Sequence, residues 1–248
     1  MKQTQLIMGM PITIEVAERN TDAARHLDDT FTYFRAIDAR YSTYKQSSEI
    51  SKINNGLPID QWSDEMKTVL ALCEKTREET GGYFDIRHDN KRDPSGLVKG
   101  WAIRRAANRL LRRKVKNFYI EAGGDIQTYG FNENGEPWKI GIRNPFNMSE
   151  IIKILAVRSE GVATSGTYIR GDHIYDPLHP GKTIQRVKSL TVIGPNVYEA
   201  DRFATAAFAM DIAGVSFIQS KPGLEGYMIT DDGIATYTSG FERYVVNA

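Results

Sequence analysis

The segment Gly161–Lys182 reads G-V-A-T-S-G-T-Y-I-R-G-D-H-I-Y-D-P-L-H-P-G-K, with hydroxyls, Arg170, His173 and Asp176 close together in the chain. Such groups can orient an anion and move a proton. The plainer reading is a polar surface hairpin with turns at Gly161, Gly166, Gly171 and Gly181. Three other stretches carry complementary groups. Asp93–Trp101 reads as a helix start, where free backbone N–H groups favour anions. Lys99 adds a point charge suited to phosphate, and Gly96 offers a closely approachable carbonyl. In Glu199–Ala207, Asp201 and Thr205 stand four apart and share a helix face. Carboxylate plus hydroxyl suits a hard cation such as Mg²⁺ or Ca²⁺. The structural alternatives are an ordinary helix N-terminus with a surface lysine, and Asp201 as a cap with Thr205 packed beside alanines. Tyr41–Asn54 sets tyrosines beside hydroxyls and a short helix, an arrangement that can stack on a flat ring or simply fill a core.

The elements that must position these groups follow from periodicity. Gln5–Val16 predicts an opening strand with a break at Gly9 and Pro11. Leu27, Phe31, Phe34 and Ile37 recur at helical spacing, so a helix runs from a cap at Thr21 or Asp22 to about Ala39. Ser48–Asn54 reads as a helical turn. Ser63 caps a second helix that Gly81-Gly82 ends near Thr80. Tyr83–Asp85 reads as a short strand, Arg87–Arg92 as a polar loop, and a third helix runs from Ser95 or Gly96 to Lys114. From Asn117 the period shifts towards two. Strands are expected at Phe118–Glu121, Asp125–Tyr129, Trp138–Ile142, Ile151–Val157 and Ser189–Ile193. Helices follow at Glu199–Met210 and Ile212–Gln219, then a closing hairpin of Tyr227–Ile229 and Ile234–Tyr237. Helices first and hairpin-linked strands after predict an α+β fold with antiparallel sheet. Gly123-Gly124-Asp125 lies between two strands and is no dinucleotide fingerprint, because no helix follows it.

The chain has 248 residues, 41% hydrophobic and 25% charged, with 32 basic against 31 acidic side chains. That is globular composition without the global field that recruits nucleic acid or membrane. Arg104-Arg105 and Arg112-Arg113-Lys114 read as a solvated helix face. Cys73, the single cysteine, excludes an intramolecular disulfide and fits a buried structural thiol. No apolar run reaches the ~18 residues of a membrane span. No secretory signal core follows Met1, so a soluble cytoplasmic protein is expected.

Taken together, the sequence resembles the FAD:protein FMN transferases, the ApbE-like family, from roughly Met8 to Gly214. The matching segments are Met8-Gly9-Met10, Ser42–Lys45 with Ser48–Ser51, Gly82–Asp85, Asp93–Trp101, Ala122–Asp125, Ala163–Gly166, His173–Pro177 and Ala200–Thr205. The resemblance implies a single T-fold-like domain over 1–248, antiparallel sheets packed with helices, with FAD bound as substrate beside Mg²⁺. It implies that Met8, Tyr44, Tyr83, Phe84 and Asp85 line the flavin or adenine part of the site, and that Asp93, Lys99 and Tyr175 contact the rest of FAD. The Gly96 carbonyl, Asp201 and Thr205 would hold Mg²⁺ against the pyrophosphate, and His173 would be the general base. From its spacing alone, Asp176, three residues on, could orient the His173 ring or raise its pKa where the backbone brings the two together. The implied reaction moves FMN to a Ser or Thr hydroxyl of an acceptor flavoprotein or redox-enzyme subunit and releases AMP. FAD hydrolysis to FMN and AMP, and flavin binding without turnover, are the alternatives. Two departures stand out. Only seven residues separate Asp85 from Asp93, where many relatives have a long insertion, and Ala204 stands where they often carry Asp or Ser.

Overall fold

The computed structural model describes residues 1–17, 22–88, 90–166, 174–181 and 183–246. His173, with Tyr168 and Arg170, lies outside the described residues. The strands are, in chain order, β1 (Lys2–Ile7), β2 (Met10–Val16), β3 (Arg87–His88), β4 (Lys91–Arg92), β5 (Phe118–Ala122), β6 (Asp125–Tyr129), β7 (Trp138–Asn144), β8 (Asn147–Val157), β9 (Gly161–Gly166), β10 (Val187–Gly194), β11 (Glu225–Thr230) and β12 (Ala235–Tyr237). The helices are α1 (Ala23–Tyr41), α2 (Glu49–Asn54), α3 (Asp64–Glu79), α4 (Ser95–Arg112), α5 (Val197–Ala209) and α6 (Gly214–Gln219). Among the described residues one eight-stranded sheet runs β1-β2-β5-β6-β9-β10-β11-β12, with β3–β4 and β7–β8 as separate two-stranded ribbons. The registered pairings of the main sheet are antiparallel, as the α+β reading expected.

Apolar side chains cover both faces of the sheet. On one face α1, α3 and α4 bury Leu27, Phe31, Phe34, Val69 and Leu97 against Ile12, Ile14 and Ile120. Further along, α5 and α6 bury Phe203, Phe208 and Ile218 against Ala163, Leu190, Val192 and Met228. The β7–β8 ribbon lies on the opposite face, where Trp138, Ile140 and Leu155 meet Val162, Ile193 and Tyr227. The middle of the sheet is therefore buried on both sides.

Local signals explain most boundaries. The Ser63 hydroxyl accepts the Met66 N–H at 3.2 Å and starts α3, while Gly81 and Gly82 take φ of +61° and +91° and stop it. Ser48 caps α2 through the Ser51 N–H at 3.1 Å. Cys73 is buried, and burial pushes its thiol up to about 12. Arg105 and Arg109 lie over the Trp101 and Tyr33 rings, and Arg113 pairs with Asp29; Arg105, Arg112, Arg113 and Lys114 remain exposed, as a solvated helix face requires.

The structure departs from the sequence expectations at four places. The opening segment is a hairpin rather than one broken strand, since Met8 (φ +57°) and Gly9 (φ +71°) form a two-residue mirror-image turn between Ile7 and Met10. Tyr83–Asp85 is irregular and pairs with no strand among the described residues, whereas the expected loop after it contains the β3–β4 ribbon. Gly161–Gly166, expected to begin a turn-rich hairpin, is strand β9 in the heart of the sheet, paired to β6 and β10. Gly161 serves close approach instead: a Cβ there would run into the backbone of Asn196 and Val197 at the start of α5. Finally, Asn196 rather than Asp201 caps α5, accepting the Glu199 N–H at 3.1 Å.

Candidate active site

Where α4 and α5 cross beside the ends of β6 and β9, a cleft of about 720 Å³ opens. Its inner wall is carried by regular elements. Gly100 of α4 lies so near α5 that a Cβ would sit 2.7 Å from Asp201 Cβ and 2.8 Å from the Val197 carbonyl oxygen. That proximity lets the Gly100 N–H donate to Asp201 Oδ2 at 2.8 Å. One residue earlier, Lys99 reaches Asp125 Oδ2 at 2.7 Å and Asp201 Oδ1 at 3.7 Å. Asp125 and Asp201 are both buried. Asp125 Oδ1 also accepts the Thr164 N–H of β9 at 3.2 Å, and the Thr164 hydroxyl lies 2.9 Å from that of Thr191. Burial drives the Asp201 carboxyl well above the usual carboxylate range; Lys99 opposes that shift and Asp125 reinforces it.

Next to this trio, Gly96 faces Thr205: a Cβ at Gly96 would lie 3.4 Å from Thr205 Cγ2 and from Phe84 Cε2. Gly96, Asp201 and Thr205 all line the cleft. Their oxygens are hard donors of the kind Mg²⁺ takes, and Mg²⁺ completes its shell with water and substrate phosphate. Among the described residues no three His, Cys, Asp or Glu side chains cluster as a metal site. A cation here would accordingly lean on the Thr205 hydroxyl, the Gly96 carbonyl and substrate oxygens beside Asp201. Two buried carboxylates against one ammonium leave the wall short of positive charge, so the donor set fits a divalent cation. Ala204, the departure noted above, packs into the core beneath α5 and does not line the cleft.

The outer rim is built differently. Tyr83, Phe84 and Asp85 follow α3 and line the cleft together with His88, Lys91, Arg92 and Asp93 of the next turn. Asp85 meets Arg77 Nε at 3.1 Å and Arg87 Nε at 3.0 Å. Burial would raise its carboxyl, but the Arg87 side chain and N–H, with Arg77, hold it below the usual range. Tyr175 donates to the Asp85 carbonyl at 2.8 Å, and its ring lies 4.6 Å from that of His88. Asp93 accepts the Ser95 N–H at 3.0 Å at the start of α4. Sequence reasoning missed Asn54, whose amide donates to the Arg92 carbonyl and accepts the Arg92 N–H, both at 2.9 Å. It also missed Asp125 as a partner of Lys99; the Gly-Gly-Asp triplet was the available signal.

Of the residues singled out from sequence, Tyr83, Phe84, Asp85, Asp93, Gly96, Lys99, Tyr175, Asp201 and Thr205 are brought to one cleft. Met8 and Tyr44 are not among its lining residues. Met8 leans on the first apolar cluster from its turn, and Tyr44 is 96% exposed. Thr43, Gln46 and Ser51 reach the cleft from that part of the chain instead. Asp176, expected to orient His173, accepts from the Leu178 N–H at 3.0 Å and lies 2.8 Å from His179 Nδ1.

Solved structures share this fold. Flavin transferase ApbE from Vibrio cholerae superposes with a TM-score of 0.86 at 23% identity, over 98% of both chains. The ApbE protein of Thermotoga maritima gives 0.86 at 21% identity, over 100% of this chain and 99% of that one. The ApbE family model matches residues 8–91 and 87–228, and the chain belongs to that family. The FAD:protein FMN transferase of Haemophilus influenzae is 31% identical over 82% of this chain and 78% of that protein. The FAD:protein FMN transferase of Vibrio cholerae is 31% identical over 59% of this chain, and the match spans about half, 47%, of that relative.

Proposed function

We propose that this chain, acting as one catalytic unit over 1–248, transfers FMN from FAD to a Ser or Thr hydroxyl of an acceptor protein. The acceptor oxygen bonds to the FMN phosphorus, the bond from that phosphorus to the AMP oxygen breaks, and AMP leaves. The observation that carries this reading, in a chain of the ApbE family, is Lys99 paired with the buried Asp125 and Asp201, with Lys99 and Asp201 lining a cleft of about 720 Å³. A cleft of that size lies within the range of small-molecule sites, ~300–1,000 Å³. Lys99 places a fixed positive charge where pyrophosphate negative charge grows during P–O cleavage. Asp201, Thr205 and the Gly96 carbonyl would hold Mg²⁺, which would supply Lewis-acid neutralisation of phosphoryl oxygens. The rim from Tyr83 to Asp93, with Tyr175, contacts the rest of FAD. His173 takes the acceptor hydroxyl's proton, an assignment supported by the family resemblance of His173–Pro177. The partners are then FAD and an acceptor flavoprotein. No helix among the described residues is long and apolar enough to cross a membrane; a cytoplasmic site of action belongs to the same proposal and is read by cell fractionation.

The test incubates the protein with FAD and Mg²⁺, with and without candidate acceptors. Transfer gives AMP and an acceptor that fluoresces in a denaturing gel. Free FMN and AMP without labelled protein would make the chain an FAD pyrophosphatase instead, and no AMP at all would leave it a flavin-binding protein.

A further inference from the structure

We propose that Asp125 is a positioning residue that holds the Lys99 ammonium away from Asp201 and thereby keeps the Asp201 carboxylate open to a divalent cation. This rests on the reading of Asp201 as a cation ligand. Asp125 opens β6 directly after the Gly123-Gly124 turn and has no exposed surface. Its Oδ1 is tied to β9 through the Thr164 N–H at 3.2 Å, so its Oδ2 is aimed at Lys99 by two strands of the central sheet. The ammonium lies 2.7 Å from Asp125 Oδ2 and 3.7 Å from Asp201 Oδ1. Asp201 keeps its other oxygen on the Gly100 N–H, which leaves Oδ1 as the one facing Lys99.

Lysine is a point charge on a flexible four-carbon stem. Remove the Asp125 charge and the Asp201 carboxylate, 3.7 Å away, becomes its counter-ion. A buried pair would then form at the cation ligand itself and would have to be broken for a cation to enter. The charge count acts in the same direction, since Asn in place of Asp125 removes one negative charge from the cluster. Partners that orient a ligand without touching the metal change affinity by roughly 10–100-fold. The unusual consequence is that the damage done by losing Asp125 is undone by also losing Lys99.

The experiment titrates Mg²⁺ calorimetrically into the wild-type chain, Asp125→Asn, Lys99→Met and the double variant, with circular dichroism to confirm folding. Asp125→Asn is expected to bind Mg²⁺ at least ~10-fold more weakly, Lys99→Met no more weakly than wild type, and the double variant to recover most of the loss. Wild-type protein that binds no Mg²⁺ would remove the cation reading underneath, a different failure. Asp125→Asn binding like wild type, or a double variant as weak as Asp125→Asn, overturns the proposal. If Asp125→Asn alone does not fold, weakened binding in Lys99→Met or in the double variant overturns it. If none of the variants folds, the trio is a structural charge cluster, and the proposal falls as well.

Discussion

Asp85 and Asp201 line the same cleft, one on its rim and one on its inner wall, and their surroundings move their carboxyls in opposite senses. On the rim, Asp85 is met by two guanidinium groups and a backbone N–H, and its carboxyl is held below the usual range. On the inner wall, Asp201 is buried, shares one ammonium with Asp125, and its carboxyl is driven up. The rim charge is already answered by the protein. The wall charge is answered only in part, and a group kept in that condition inside a folded chain is where a positive ligand gains most. Construction follows the same division. The wall is α4, α5, β6 and β9 packed at contact distances only glycine permits, whereas the rim is a short ribbon fastened by individual side-chain hydrogen bonds. Chemistry is thus expected from the wall, and substrate fit from the rim.

The largest expected effect tests that division directly. With Asp201 in its proposed role as a Mg²⁺ ligand, Asp201→Ala should cut flavin transfer by on the order of 10²-fold or more, since the Lewis-acid stabilisation lost with the ion is worth several kcal/mol. AMP release measured with the fold verified by circular dichroism gives the answer, and a rate within a few-fold of wild type would move the chemistry away from the wall. Next comes Gly100→Ala. The added methyl would meet Asp201 Cβ, Asp201 Oδ2 and the Val197 carbonyl within 3 Å, so α4 and α5 must separate. Overpacking of this kind costs ~1–3 kcal/mol. Thermal melting should show the loss, and Mg²⁺ affinity should fall with it; unchanged melting and affinity would mean that the helix crossing does not set the site.

Legibility in the sequence followed whether the signal was local. Ser63 and Gly81-Gly82 bound α3 to within a residue, since capping and positive φ are properties of a few neighbouring residues. Asp201 and Thr205 were readable as a pair because helix geometry alone puts positions four apart on one face. Strand β9 was not readable. A strand buried on both faces shows no alternation, and its glycine at 161 reflects the approach of α5 rather than a turn. The partnership of Asp125 with Lys99 joins two segments 26 positions apart in sequence through tertiary packing, and no spacing rule reports it. Tyr44 shows another limit: an aromatic beside hydroxyls reads either as a stacking platform or as core, and only its tertiary placement, 96% exposed, rules out the core.

On the rim the expected effects are smaller. Asn54→Ala removes both hydrogen bonds that tie α2 to Arg92, a loss of about 1–3 kcal/mol at ~1 kcal/mol for each bond. Its readout is KM for FAD, expected to rise a few-fold with kcat held. A fall in kcat at constant KM would mean that the rim takes part in the chemistry.

The smallest effect is a pH dependence confined to the rim. Asp85 in the folded chain titrates below its ordinary value of 3.8, so the unfolded chain binds more protons than the folded one as acid is added. A depressed carboxyl contributes stability that is fully present above the unfolded value and is lost as pH falls through the folded one. The window therefore lies below pH 3.8, where protonation releases Arg77 and Arg87 together. The Arg87 N–H that Asp85 accepts at 2.9 Å should exchange faster with solvent in that window. Amides of β6 and β9, whose groups do not depend on Asp85, should keep their protection until the fold itself is lost. Hydrogen exchange resolved by residue between pH 5 and 3 checks this, with Asp85→Asn as the control in which Arg87 exchange is already fast at pH 5. Equal loss of protection in β3 and β6 would show that rim and wall open as one unit.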